Sequence, residues 1–372
     1  MHERSLGLSL YVSFLLMCIP TKGAIDIIFD YSYDTNNYFT DEMKYVMDQA
    51  AFAFESRMAN ENFASMIPSD YDSSEVGVLM IDNPTTGGDL NVTIGNTTSE
   101  GNLVGSANEV IVFAGARSAD GQFLGNSRYY WNYGDHDESA DAWTTYMYGT
   151  RDGGSHYDAT GGSLAINSDL NWYVDTNLTS HSDALNSGKY DFYSTVVHEL
   201  GHIMGFNSWV DPIIWNMDYD DYDNPIWPGS NAKAEFSGNS VPFSTDEDHF
   251  APSIANGGDF NTSLVNCDCH PAMAEYNSTN FRVPFSELDF AVLEDIGYNI
   301  SSTPISNIGG TYQDPTLGGS YYVPVKQSYS SWLTSNASAA PEPHYIFPMI
   351  GGLIACFASR KKYKNFVNRF FN

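Results

Sequence analysis

His198-Glu199-Leu200-Gly201-His202 sets two imidazoles four residues apart with a carboxylate beside the first, and Gly205 follows three residues later. On a helix, residues four apart share a face, so both rings can grip one metal ion. Zinc held this way keeps an open position for water, and a glutamate at Glu199 stands next to that position. The metal lowers the water's pKa towards neutrality, and the carboxylate takes its proton as the oxygen attacks a carbonyl. The spacing points to zinc-assisted hydrolysis of peptide bonds, with Glu199 as base. The competing reading is two histidines on an ordinary surface helix.

The helix that must carry these residues is marked by its flanks. Asp191 or Ser194 can cap its start, an apolar run through Val196 and Val197 follows, and Gly205 falls where the helix would stop. This predicts a helix over about 194–204. A catalytic zinc site also needs a third protein ligand. In the short pattern His-Glu-x-x-His-x-x-Gly-x-x-His that position is Ser208 here, a poor zinc ligand. The third ligand must therefore come from farther along. His249, His270, Asp211 and several downstream carboxylates are candidates. His249 is favoured because Asp246, Glu247 and Asp248 beside it can orient its ring, and His270 is the second choice. His136 and His156, in a Gly-, Tyr- and Asp-rich stretch, read as surface residues.

The remaining elements follow from periodicity. Ile25–Asp30 reads as a strand, and Thr40 caps a helix over Asp41–Asn60 with Met43, Val46, Met47, Ala50, Phe54 and Met58 at core spacing. Short β-rich runs lie at Val76–Ile81 and Val110–Ala114, and residues 117–160 look loop-like. Ser163–Asn167 alternates and is expected to be an edge strand able to pair with an extended peptide. Ser286 caps a helix over Leu288–Ile296 that Gly297 closes. Between 207 and 285 there is little periodicity. Within it Asp218–Asn224 could hold Ca²⁺ through its oxygens, although it lacks the spacing of a known loop, and a solvated acidic turn is the simpler reading.

With 372 residues and a formal net charge of −30, the chain can bury a full core and is strongly acidic. Five of its 16 Lys and Arg lie in the last fifteen residues, so the body between the ends is more anionic still. Nucleic acid and anionic membrane surfaces are excluded as partners of that body. Residues 1–24 read as a secretory signal, with Arg4, an apolar stretch from Leu6 to Ile19, and small residues around Ala24. Cys18 and Cys356 fall in the two ends. Cys267 and Cys269 are left for the exported body, as a local disulfide or, with His270, a second metal site.

The run His198 to Phe206, followed by a long insertion before His249, resembles the leishmanolysin-type metzincins. In that family the third histidine is displaced down the chain, which implies His198, His202 and His249 as ligands and Glu199 as base. Its methionine in a tight turn beneath the metal is matched by Met273 in His270-Pro271-Ala272-Met273. A Ser-x-x-Asp-x-x-x-Leu-x-Asp-x-Gly-Tyr helix is matched by Ser286, Asp289, Leu293, Asp295, Gly297 and Tyr298. The resemblance covers roughly residues 25–300. It implies an α+β, zincin/metzincin-like domain: a mixed sheet with the active-site helix over 25–205, and an irregular C-terminal subdomain over 206–300. The family's eukaryotic disulfides are absent, so that subdomain must be held differently. Tyr276, three residues after Met273, is a candidate oxyanion stabiliser, with a packed tyrosine as the alternative.

Residues 301–340 read as a linker or small appendage. Residues 341–372 resemble a PEP-CTERM sorting tail: Pro341-Glu342-Pro343, an apolar run from Tyr345 to Ala358 and a basic cluster. This implies export in a Gram-negative bacterium, with the tail in the membrane before processing. The expectation is an exported zinc endopeptidase acting on protein or peptide substrates. The alternative is a non-catalytic surface or matrix adhesion protein on the same scaffold.

Overall fold

The computed structural model describes residues 25–58, 61–67, 77–119, 125–128, 131–132, 152–153, 156–178, 189–208, 213, 216–251, 271–274, 282–302, 309–313 and 320–339. Contacts divide the chain into two units, Met1–Lys326 and Gln327–Asn372. The architecture is α+β. In the second unit the described part is a helix, Tyr329–Ala339, on which Tyr329 and Trp332 stack.

The first unit is built on a four-stranded sheet in the spatial order Asp26–Asp30, Glu109–Arg117, Gly162–Asn167, Gly125–Arg128. The first three strands are parallel and the last runs antiparallel to its neighbour. Parallel strands need both faces covered, and so read as continuous apolar runs. Glu109–Arg117 is accordingly buried from Val110 to Ala116. On one face, Ile111 and Phe113 join Leu79, Ile81 and Val92 in a shared core. Those three come from a second sheet of Asp89–Thr93, Val78–Asp82 and Trp131–Asn132. Against the first sheet also pack two helices, Asp41–Glu55 and Phe192–Ile203, which touch each other.

The helix Asp41–Glu55 begins where expected, with Thr40 Oγ1 accepting from the Met43 amide at 3.3 Å. Asp41 and Glu42 in its first turn suit the positive end of the helix dipole. It stops at Glu55, short of Asn60. There Arg57 forks onto both Glu287 oxygens at 2.7 Å, and its Nε donates to the Ser301 carbonyl. Arg57 thus ties the end of this helix to the start of the capped helix Glu287–Asp295. Phe54, fully buried, packs on Phe285 and Phe290 with centroids 4.6 and 6.0 Å away. Truncating it to alanine would cost about 3–5 kcal/mol.

Ser163–Asn167 is not the edge strand its alternation predicted. All six residues of Gly162–Asn167 are buried, between Glu109–Arg117 on one side and Gly125–Arg128 on the other. Among the described strands the order ends at Asp26–Asp30 on one side and at Gly125–Arg128 on the other, the latter inside the stretch that reads as loop. Gly-Asn-Ser-Arg carries no apolar alternation, because an edge strand's pairing comes from backbone groups. Within 301–340, Gly309–Gln313 and Ser320–Pro324 form an antiparallel hairpin. Just after it, the Lys326 amide donates to Gln49 and its ammonium meets Glu55 at 3.2 Å. Among the described residues no helix is long and apolar enough to cross a membrane. The signal at 1–24 and the tail at 341–372 lie outside the described residues.

Candidate metal centre

The metal helix runs Phe192–Ile203 with Asp191 as its N-cap. Asp191 Oδ2 accepts from the Ser194 amide at 3.1 Å and the Ser194 hydroxyl at 2.7 Å. The helix starts two residues earlier than expected because Asp191 takes the cap. Ser194 Oγ is left to accept from the Val283 amide at 2.7 Å. Arg282, with its side chain 2% exposed, donates to both Asp191 oxygens at 3.0 and 2.9 Å and to Asp175 at 3.2 Å. At the other end, the Phe206 amide returns to the Gly201 carbonyl at 3.0 Å and the Gly205 amide to that of His202 at 3.1 Å. This is a Schellman ending, and it requires Gly205's φ of +108°. A Cβ at Gly205 would also lie 2.6 Å from the Tyr157 ring.

Beyond the helix the chain returns to the site. The Ser208 amide donates to Asp248 Oδ1 at 2.6 Å, so the residue that the short motif would use as ligand instead anchors the loop bearing His249. The Ser244 amide to the His249 carbonyl, at 2.9 Å, closes that loop. His249 Nε2 then sits 3.2 Å from His198 Nε2, and His202 Nε2 sits 3.2 Å from the same atom. All three ligand atoms fall within 4.8 Å of one another. A tetrahedral ion with zinc–nitrogen bonds of 2.0–2.1 Å places its nitrogens about 3.3 Å apart, so the two separations at His198 fit.

Each ring's other nitrogen has an acceptor. His198 Nδ1–H donates to the Ala272 carbonyl at 2.6 Å, His202 Nδ1–H to that of Phe206 at 2.7 Å, and His249 Nδ1–H to Asp246 Oδ2 at 2.9 Å. Those bonds place the proton on Nδ1 and turn each Nε2 lone pair inward, as metal ligation requires. Burial, reinforced by the neighbouring His249, pushes the His198 imidazole down to about 3. Burial, then His198 and His249, holds His202 well below the ordinary histidine range. Burial acts the same way on His249, but the hydrogen bond and charge of Asp246 outweigh it and raise this ring. For Asp246 burial raises and is overcome by the bonds from His249 and Ser244, which hold its carboxyl low. Two neutral rings and one paired with a carboxylate thus face a common point.

Glu199 is 5% exposed and lies beside His198. Beneath the helix, Gly201 leaves room for Met273: a Cβ there would overlap the Met273 sulfur and lie 2.8 Å from Phe285 Cε2. The turn of Met273 is held by Asp289. One Asp289 oxygen accepts from Ala272 N at 2.9 Å and from the Ser286 amide and hydroxyl at 2.6 Å, and the other from Met273 N at 3.0 Å. The Phe250 amide donates to the Met273 carbonyl at 2.8 Å, which ties the His249 loop to the same turn.

The structure therefore brings together His198, Glu199, His202, His249, Gly205 and Met273. His270, Tyr276, Asp211, Cys267 and Cys269 lie outside the described residues, as do His136 and the side chain of His156. In the turn proposed for Ca²⁺, Asp220 Oδ1 accepts from the Tyr222 and Asn224 amides at 2.8 and 2.9 Å, and Oδ2 from Asn224 Nδ2 at 3.0 Å. That carboxylate closes its own turn, and among the described residues the group that could hold a metal is the histidine triad. Sequence reasoning did not single out Arg282 or Gly125. Neither position carries a local pattern, since the partners of each lie far away in sequence. No protein-family model matches the chain, and no curated protein matches it.

Proposed function

We propose that the chain is an exported zinc endopeptidase of the leishmanolysin-like metzincin type. The observation that carries this reading is the convergence of three Nδ1-anchored histidines with Glu199 beside His198. When bound, zinc supplies a Lewis acid that lowers the pKa of a coordinated water towards neutrality. His198, His202 and His249 would hold it and leave one position open. Glu199 takes the proton from the attacking water and returns it to the departing amine nitrogen. Met273 shapes the floor of the site through its contact at Gly201 and does not ligate. Gly125–Arg128 ends the order of its sheet among the described strands, so an extended peptide could align there by strand addition. Residues 1–24 would direct export. Residues 341–372 would hold the chain at a Gram-negative membrane until processed.

The test compares the full chain with its Glu199→Ala variant for zinc content and for hydrolysis of casein or gelatin. The reading expects about one zinc in each protein and cleavage only by the wild type. Zinc in both with cleavage by neither would move the adhesion scaffold ahead. Zinc in neither would sink the metal site itself.

A further inference from the structure

Gly125 opens the edge strand and pairs with Ile166 of Gly162–Asn167. Its φ lies outside the left-handed region, so the backbone there does not call for glycine. What calls for it is the helix below. A Cβ at Gly125 would sit 2.6 Å from Glu199 Cγ, 2.8 Å from Oε1 and 2.9 Å from Cδ. Glycine inside a strand marks a close approach of another group, and here that group is the base. The nearest atoms all belong to one side chain with three rotatable bonds. A methyl group at 125 would therefore have to displace the Glu199 side chain from Cγ outward.

We infer that Gly125 is a positioning residue: its missing side chain is the space that the Glu199 carboxylate occupies. This rests on the peptidase reading for its kinetic consequence but not for its structural one. In Gly125→Ala, zinc content stays at the wild-type level because no ligand is touched. Misplacing a general base costs on the order of 100-fold, so kcat falls by about that factor while KM changes less than about threefold. A Gly88→Ala control, whose new Cβ would meet only Thr86 Oγ1 at 3.9 Å, keeps wild-type kcat.

A stability cycle tests the contact without any substrate. Gly125→Ala is made in the wild type and in Glu199→Ala, where Cγ and the carboxyl are gone, and urea midpoints are compared. The proposal expects a lowered midpoint in the wild type and an unchanged or slightly raised one in the Glu199→Ala background, since alanine restricts the unfolded chain. A crystal structure of Gly125→Ala should show Glu199 in a changed rotamer. Equal midpoint losses in both backgrounds, or an unmoved Glu199, would overturn the proposal. Absence of hydrolysis by the wild type would remove the peptidase reading and leave the cycle to decide on Gly125.

Discussion

Replacing Asp289 with asparagine should weaken metal binding at the proposed zinc centre, which the residue never touches. Asp289 is fully buried, and its two oxygens accept four hydrogen bonds. Asparagine can keep an oxygen towards Ala272 and Ser286, but then points an NH₂ at the Met273 amide. One buried N–H left without an acceptor costs about 1–3 kcal/mol, within the 5–15 kcal/mol typical of a folded domain, so the variant folds. The turn it loosens includes Ala272, whose carbonyl holds His198 Nδ1–H at 2.6 Å. Losing such support for a ligand typically costs 10- to 100-fold in metal affinity, or about 1.4–2.8 kcal/mol. Competition against a chelator at pH 7.5 measures it. A folded asparagine variant whose zinc Kd stays within about twofold of wild type would falsify the relay from Asp289 through Ala272 to His198.

The same carboxyl gives a sign for pH. Burial pushes it from 3.8 up to about 6, against the pull of its four donors. A carboxyl with a raised folded pKa contributes stability that is fully present below 3.8 and lost as pH rises through 6. A shift of about two units is worth at most about 3 kcal/mol. Urea midpoints of the metal-free protein should fall across that window in the wild type and stay flatter in Asp289→Asn; equal slopes would rule the residue out as the source.

Two other perturbations are readable. Arg282→Met leaves Asp191 and Asp175 as buried carboxylates without their partner, a loss of about 3–5 kcal/mol in urea unfolding, and a midpoint within error of wild type would show that the clamp is dispensable. Metal uptake at the proposed centre must displace the proton that Asp246 helps His249 retain, so affinity should weaken with falling pH from a higher pH in wild type than in Asp246→Asn. Coincident pH curves would show that His249 does not limit binding.

The parts of the site legible in the sequence are those governed by local rules. The metal helix follows from four-residue spacing, a capping aspartate and a glycine at its end. His249 is distinguished by the acids beside it, one of which does hold its ring. Ser286 reads as a cap, and in the structure it pairs with Asp289 in a capping box. The second task of Asp289, gripping the Ala272–Met273 turn, is invisible because a carboxylate's extra acceptors leave no trace in spacing. Alternation marks a strand at Ser163–Asn167 but not its place in the sheet, which is set by pairing with Glu109–Arg117 and Gly125–Arg128 far away in sequence. Arg282 belongs to no pattern, since it meets Asp191 across 91 positions of chain.

The histidine triad has a consequence for the order in which the molecule comes into being. His198 meets His249 across 51 positions and the Ala272 carbonyl across 74, while Arg57 closes on Glu287 across 230. Contacts of such long range form late, because loop-closure entropy must be met before they contribute. A chain synthesised only as far as Gly205 carries the His-Glu-x-x-His helix complete but has one ligand missing and the other two unbraced. The complete triad is therefore a property of the finished fold, delayed until the final third of the chain has docked, and any chemistry of the proposed centre waits on that docking.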